Sequence, residues 1–107
     1  MRLISCCAAV ALVFAYACSG GQKRGDPSRG RTVFEACAPC HNVDTDARKM
    51  GPSLKGLFKR AKLENGQKVT EETVRAQIAT GGRQMPHYQD ILSPQEMDDV
   101  IAYLKTL

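Results

Sequence analysis

The sequence predicts an all-α domain in which three main helices and long loops wrap around one bound cofactor. Three observations carry that prediction. Apolar residues recur at helical spacing in three segments, and no segment alternates at period two, so no sheet is expected. The core is lean: 107 residues include no Trp and three Phe, and domains this small often need a staple or cofactor. Finally, "CAPCH" at 37–41 sets two cysteines and a histidine together, and long loops in a small domain call for something at its centre. The length leaves room for one domain, and there is no internal repeat or low-complexity tract.

Residues 1–17 read as a signal peptide. After Met1-Arg2, the run LISCCAAVALVFAYA carries no charge. It is shorter than the roughly 20 residues of a membrane span, which would be the alternative, an uncleaved anchor. Ala15-Tyr16-Ala17 has the small-x-small pattern of a cleavage site. Cleavage there leaves Cys18 first, and "CSGGQKRG" at 18–25 resembles the polar tether behind the lipidated cysteine of bacterial lipoproteins. A typical lipobox has Leu where Ala15 stands and a small residue where Tyr16 stands. The expectation is an exported bacterial protein, periplasmic and held at a membrane through a lipid on Cys18. Cys6 and Cys7 leave with the signal, so Cys37 and Cys40 are the one close pair and no disulfide framework is expected. Loss of Arg2 lowers the formal charge from +4 to +3.

The folded domain is expected over 26–107. Asp26 caps a first helix with Pro27 in its first turn, and Gly30, Val33, Phe34 and Cys37 follow at helical spacing into CAPCH, where Pro39 ends regular structure. Residues 42–69, with Gly51-Pro52, Gly56 and Asn65-Gly66, read as loop with at most a helical turn. Thr70 caps a second helix that turns Val74, Ile78 and Gln77 inward and stops at Gly81-Gly82. "RQMPHYQDIL" at 83–92 is irregular, because Pro86 breaks it. Ser93, Pro94 and Glu96 open a last helix with a capping box, and Met97, Val100, Ile101, Leu104 and Leu107 form its stripe.

Three chemistries use the spacing of CAPCH. A zinc site needs four ligands of Cys or His type, and adjacent Cys40 and His41 are awkward partners on one tetrahedral ion. A redox dithiol belongs after a strand and opens a helix, whereas here a helical stripe precedes the pair. Haem attachment uses all three residues: the thiols of Cys37 and Cys40 add to the vinyl groups, and His41 is an axial ligand. A second ligand is then sought among the methionines. Met97 lies on an apolar stripe and reads as core. Met50 stands nine residues past His41 and would have to double back. Met85 sits in a Pro-bounded loop, free to approach iron, with His87 as its nearest competitor.

Four separated segments together resemble class I c-type cytochromes, particularly small bacterial ones. Gly30 and Phe34 fit the G-x-x-x-aromatic first helix, followed by CAPCH; "GPSLKGLF" at 51–58, "QMP" at 84–86 and "DDVIAYLK" at 98–105 fit the later segments. The resemblance implies the cytochrome c fold, one haem c bound through Cys37 and Cys40, and His41 and Met85 as metal ligands. It implies that the Pro52 carbonyl accepts from the His41 ring, that Gly30 lets the first and last helices cross closely, and that Phe34 meets Val100 and Tyr103. The segment between Phe58 and Met85 is short against mitochondrial members, and the tryptophan they use at a propionate is absent. Arg48 and Arg60 are candidates for that role.

The implied function is single-electron transfer between redox proteins, not an enzyme activity, because His and Met together leave iron no vacant position. Alternatives are a haem subunit fixed on a larger dehydrogenase or oxidase, and a haem enzyme or gas sensor with a displaceable Met85. A monomer without nucleic-acid partners is expected. Between 48 and 68 the basic residues Arg48, Lys49, Lys55, Lys59, Arg60, Lys62 and Lys68 face a single acid, Glu64. The later Glu71, Glu72, Asp90, Glu96, Asp98 and Asp99 reverse the sign. An acidic partner docking at Lys49, Lys55 and Lys59 is the corresponding expectation.

Overall fold

The computed structural model describes residues 24–107. The expected signal peptide, the lipid site at Cys18 and most of the tether lie outside the described residues.

Among the described residues three helices form: α1 (Pro27–Phe34), α2 (Glu71–Thr80) and α3 (Pro94–Leu104). Single 3-10 turns at Leu57–Lys59 and Tyr88–Asp90 interrupt the two long connections. Among the described residues no strand forms, and sheet-like pairing is confined to isolated bridges Lys62–Lys68 and Gly82–Met85.

Each helix begins where a side chain takes over an unpaired backbone donor. The Asp26 carboxylate accepts from the N–H groups of Ser28 and Arg29, with Pro27 behind it. Ser93 and Glu96 form the expected reciprocal cap of α3. Thr70 caps α2 as expected, but its reciprocal partner is Thr73, whose hydroxyl accepts from the Thr70 N–H. Helix α2 ends at Gly81, whose φ of 62° is a backbone state that glycine adopts without steric cost.

The helices α1 and α3 cross at closest approach. A Cβ on Gly30 would stand 1.8 Å from the Asp99 carbonyl oxygen and 2.8 Å from Tyr103 Cβ, so no side chain fits there. Gly25, assigned to the tether by sequence, makes the same kind of contact, 2.1 Å from the Asp98 oxygen, and so belongs to the packed domain. The crossing brings Phe34 against Tyr103, ring centroids 5.3 Å apart, in the tilted arrangement that aromatic pairs favour.

A polar clasp closes the same junction. Asp99 is only 2 % exposed and accepts from the Asp26 N–H, the Arg29 guanidinium and the Gln95 amide. Hydrogen bonding from Arg29, reinforced by Asp26 and Gln95, holds its carboxyl below the usual carboxylate range against the opposing effect of burial. Asp99, counted by sequence among the acids that reverse the charge after residue 68, is thus a buried structural acid. Its neighbour Asp98 pairs with Arg75, and Glu71 pairs with Lys105.

The core comprises Phe34, Leu57, Val74, Ile78, Tyr88, Met97, Val100, Ile101 and Leu104. Val100 and Ile101 are its most buried members, each stabilising the fold by about 1.5–3 kcal/mol through lost apolar exposure. Leu57 and Tyr88 come from the 3-10 turns, which explains why the long connections are ordered.

Candidate haem site

Helix α1 does not simply stop at CAPCH. A series of tight turns continues it: Ala38 N–H bonds to the Phe34 carbonyl, and both Cys40 and His41 bond back to Cys37. The winding carries Cys37, Cys40 and His41 to the wall of one large cavity of about 1130 Å³. Such a volume exceeds the usual range for small-ligand pockets, roughly 300–1,000 Å³. Its apolar wall includes Phe34, Leu54, Leu57, Val74, Ile78, Val100 and Leu104.

The loop after CAPCH folds back onto it. Gly51 N–H bonds to the Cys40 carbonyl at 2.8 Å, Leu54 N–H to Asn42, and buried Ser53 donates to the Thr45 carbonyl. These bonds bring the Pro52 carbonyl oxygen to 2.7 Å from His41 Nδ1. A carbonyl only accepts, so Nδ1 carries the proton and the lone pair of Nε2 is free. Gly51 stands so close to the ring that a Cβ would lie 2.4 Å from His41 Cε1.

Met85 enters the same cavity from the loop after α2. Paired bonds between Gly82 and Met85 close that loop around Arg83-Gln84, and Arg83 has a φ of 25°, an uncommon state for a side-chain-bearing residue. Gly81 lies beneath it: a Cβ there would come within 2.4 Å of the Met85 and Pro86 carbonyl oxygens. Gln77, the inward α2 residue, directs its amide nitrogen to the Gly81 carbonyl at 3.2 Å and to Met85 Sδ at 3.8 Å. The competing imidazole is held elsewhere, since exposed His87 donates through Nδ1 to the Thr80 carbonyl. Met97 is core, as its stripe predicts. Met50 is largely exposed beside Cys40, its sulfur 3.9 Å from Sγ.

Sequence reasoning missed several cavity residues. Tyr88 lines it, and burial, followed by the proximity of Cys37 and Cys40, raises its phenol above the usual range. Lys62 and Asn65 stand at its edge beside Arg48 and Arg60, the two residues singled out as carboxylate partners. Arg48 is already paired with Glu64, and Arg60 donates to the Lys55 carbonyl. The only advance sign of Tyr88 was its place two residues after Pro86.

The chemistry of the donor set discriminates among the three uses of CAPCH. Among the described residues no cluster of three or more His, Cys, Asp or Glu is placed to hold a metal ion, so they do not assemble the four-ligand site that zinc needs. Burial, with Cys40 as the second cause, raises the Cys37 thiol, whereas a reactive dithiol needs a lowered one. Two free thiols and an imidazole with an open Nε2, on the wall of one apolar cavity, fit a flat macrocycle that is attached at its edge and bound through its metal.

The fold and site thus define a small all-α haem protein with covalent attachment. Residues 27–107 match the family described as Cytochrome c, and the chain belongs to that family. It is 38% identical over 85 residues to a cytochrome c-553-like protein of Synechocystis, an alignment covering 78% of this chain and 71% of that one. A cytochrome c2 of Blastochloris viridis is 31% identical over 97 residues, 75% of this chain and 76% of its own. The solved cytochrome c6 of the diatom Phaeodactylum tricornutum superimposes with a TM-score of 0.62 at 27% identity, covering 77% of this chain and 93% of that one. As a cytochrome c, the chain carries haem c through Cys37 and Cys40 and is an electron carrier, not an enzyme.

Proposed function

We propose that this protein carries single electrons between redox proteins outside the cytoplasmic membrane, with His41 and Met85 as the axial ligands of one haem. The observation that carries the ligand assignment is the shared cavity: both thiols, His41 and Met85 line it, Met50 does so only as a largely exposed residue beside Cys40, and His87 is tied to Thr80 and absent from its wall. The bond from His41 to Pro52 supports the proximal role, because it fixes the tautomer and aims the free nitrogen. When bound, the haem supplies a one-electron iron couple, and thioether ligation raises its potential relative to a second imidazole.

The chain's own contribution is to orient and bury that group. Two ligands retained in both oxidation states leave no position for substrate and little to rearrange on electron transfer. Oxidised protein is expected to show the weak far-red sulfur–iron band, and Met85→Ala to abolish it and lower the potential. Persistence of the band in Met85→Ala would overturn the assignment.

Export and anchoring rest on residues 1–17 and on Cys18. Mass spectrometry of the native amino terminus is expected to find Cys18 first and acylated, with more than one chain, because a single acyl chain binds membranes only marginally. An intact signal or an unmodified Cys18 excludes the lipoprotein. The partner is an acidic redox protein that docks on the face bearing Lys49, Lys55 and Lys59, all of them exposed.

A further inference from the structure

We infer that Met50 is a modification site, where an anionic oxygen-atom donor such as hypochlorite forms methionine sulfoxide, and that this change weakens docking of the redox partner. The inference rests on the reading that an acidic partner docks at the basic segment, and deepens it.

The three methionines of the described residues stand in different surroundings. Met97 is 6 % exposed in the core, Met85 is half-buried on the cavity wall, and Met50 is 59 % exposed. An oxidant must reach sulfur to react with it, so exposure selects Met50. That exposure does not come from a loose loop, because the backbone on either side is fastened. Lys49 N–H bonds to the Gly51 carbonyl at 3.1 Å, Gly51 N–H to the Cys40 carbonyl at 2.8 Å, and Lys49 Nζ to the Ala38 carbonyl at 3.1 Å.

Haem attachment opens the sulfur further. The Cys40 thiol donates to Met50 Sδ at 3.9 Å. Forming the thioether consumes that S–H, so in the holo-protein Cys40 has no hydrogen to give and no longer engages a Met50 lone pair. Lys49, Lys55 and Lys59 on the same segment are exposed cations, which raise the local concentration of an anion. In the transfer, the hypochlorite oxygen bonds to Sδ while its bond to chlorine breaks. Sulfur loses two electrons, chlorine gains them and leaves as chloride, and no proton moves.

The product is polar where the thioether was apolar. Met50 lies on the rim of the haem cavity, between the attachment residue Cys40 and the cation Lys49. An apolar side chain there suits the dry centre of an interface whose rim is charged. A sulfoxide at that centre must shed its water on docking. Rim charges act chiefly on association, whereas a central contact acts on dissociation. Oxidised Met50 therefore speeds dissociation and leaves the salt dependence of association in place. Sulfoxide formation is reversed by dedicated reductases, so the change is a switch and not only damage.

The test treats unsubstituted holo-protein with one equivalent of hypochlorite. Peptide mass mapping locates the added oxygen, the visible spectrum reports on the haem, and an acidic [2Fe–2S] ferredoxin is the docking probe. The expected result is one oxygen on Met50, Met97 unmodified and the far-red band retained. Dissociation from the ferredoxin should become about three- to tenfold faster, the loss of one central contact. A methionine sulfoxide reductase should restore the original rate, and Met50→Leu should make docking indifferent to the oxidant. Lys49→Glu in untreated protein should slow association, which establishes that the probe uses this face.

Oxygen on Met85 or Met97 ahead of Met50 overturns the site. Oxygen on Met50 with unchanged dissociation, where Lys49→Glu does slow association, overturns the switch and upholds docking at the basic segment. Association that responds to neither salt nor Lys49→Glu removes the docking reading and the switch with it. The deciding arm uses unsubstituted protein, so a folding defect in a variant cannot stand in for any of these results.

Discussion

At the scale of single residues, the site depends on an atom that is missing. The His41 ring can reach the Pro52 carbonyl because residue 51 has no side chain, and a Cβ there would stand 2.4 Å from Cε1 and 2.8 Å from Nδ1. Gly51→Ala is therefore expected to displace the imidazole from its acceptor and to destabilise the folded holo-protein by about 1–3 kcal/mol, the usual range for forced overpacking. Denaturant midpoints measure the loss, and the visible spectrum reports whether His41 remains on iron. A variant with normal stability and spectrum would show that the loop yields at little cost. Cys37, Cys40, His41, Pro52 and Met85, which all line one cavity, could be singled out in the sequence because attachment chemistry and a four-segment resemblance constrain residue types at fixed spacing. Gln77, Asn65 and Tyr88 could not be assigned in the same way. Their places at the cavity depend on how the long connections fold back over α2, and a one-dimensional pattern does not encode that.

At the scale of elements, α3 was the most legible, since its capping box and stripe are both local properties. Helix α2 was read correctly at both ends, yet its reciprocal cap went unrecognised because Thr73 stands where Glu or Gln usually does. Asp99 was hidden for a different reason: it lies off the apolar stripe of α3 and is buried only because the start of α1 crosses there. Its carboxyl is held below the ordinary value, first by Arg29. A lowered pKa means that the stabilisation is complete above the unfolded value of about 3.9 and is lost as pH falls through the lower, folded value. Asp99→Asn should accordingly be less stable than the unsubstituted protein near neutral pH, by on the order of 1–3 kcal/mol for a disrupted buried acceptor. The gap between the two should narrow on acidification below about pH 4. Paired denaturant titrations across that range test the sign, and a gap independent of pH would assign the cost to packing alone.

At the scale of the whole molecule, the charge pattern of the sequence survives folding in altered form. Several of its acids are internally committed, Asp99 to Arg29, Asp98 to Arg75 and Glu71 to Lys105, and on the basic side Arg48 is matched by Glu64. Lys49, Lys55 and Lys59 remain exposed on the segment that folds back against CAPCH, with Lys49 donating to the Ala38 carbonyl inside the motif itself. Positive charge is thus held close to the attachment edge of the cavity, where it can orient an approaching partner of opposite sign. An exposed field of this kind acts mainly on encounter and is screened over about 8–10 Å in physiological salt. It should leave the iron's environment nearly unaffected, because none of the three lysines lines the cavity. Electron-transfer rates with an acidic redox protein are therefore expected to fall steeply as ionic strength rises. Lys49→Glu, Lys55→Glu and Lys59→Glu combined should slow association further while the reduction potential stays near its original value. Rates that respond to neither salt nor charge reversal would move docking to another face of the molecule; a potential that shifts with the lysines would mean that they act on the haem and not on the encounter.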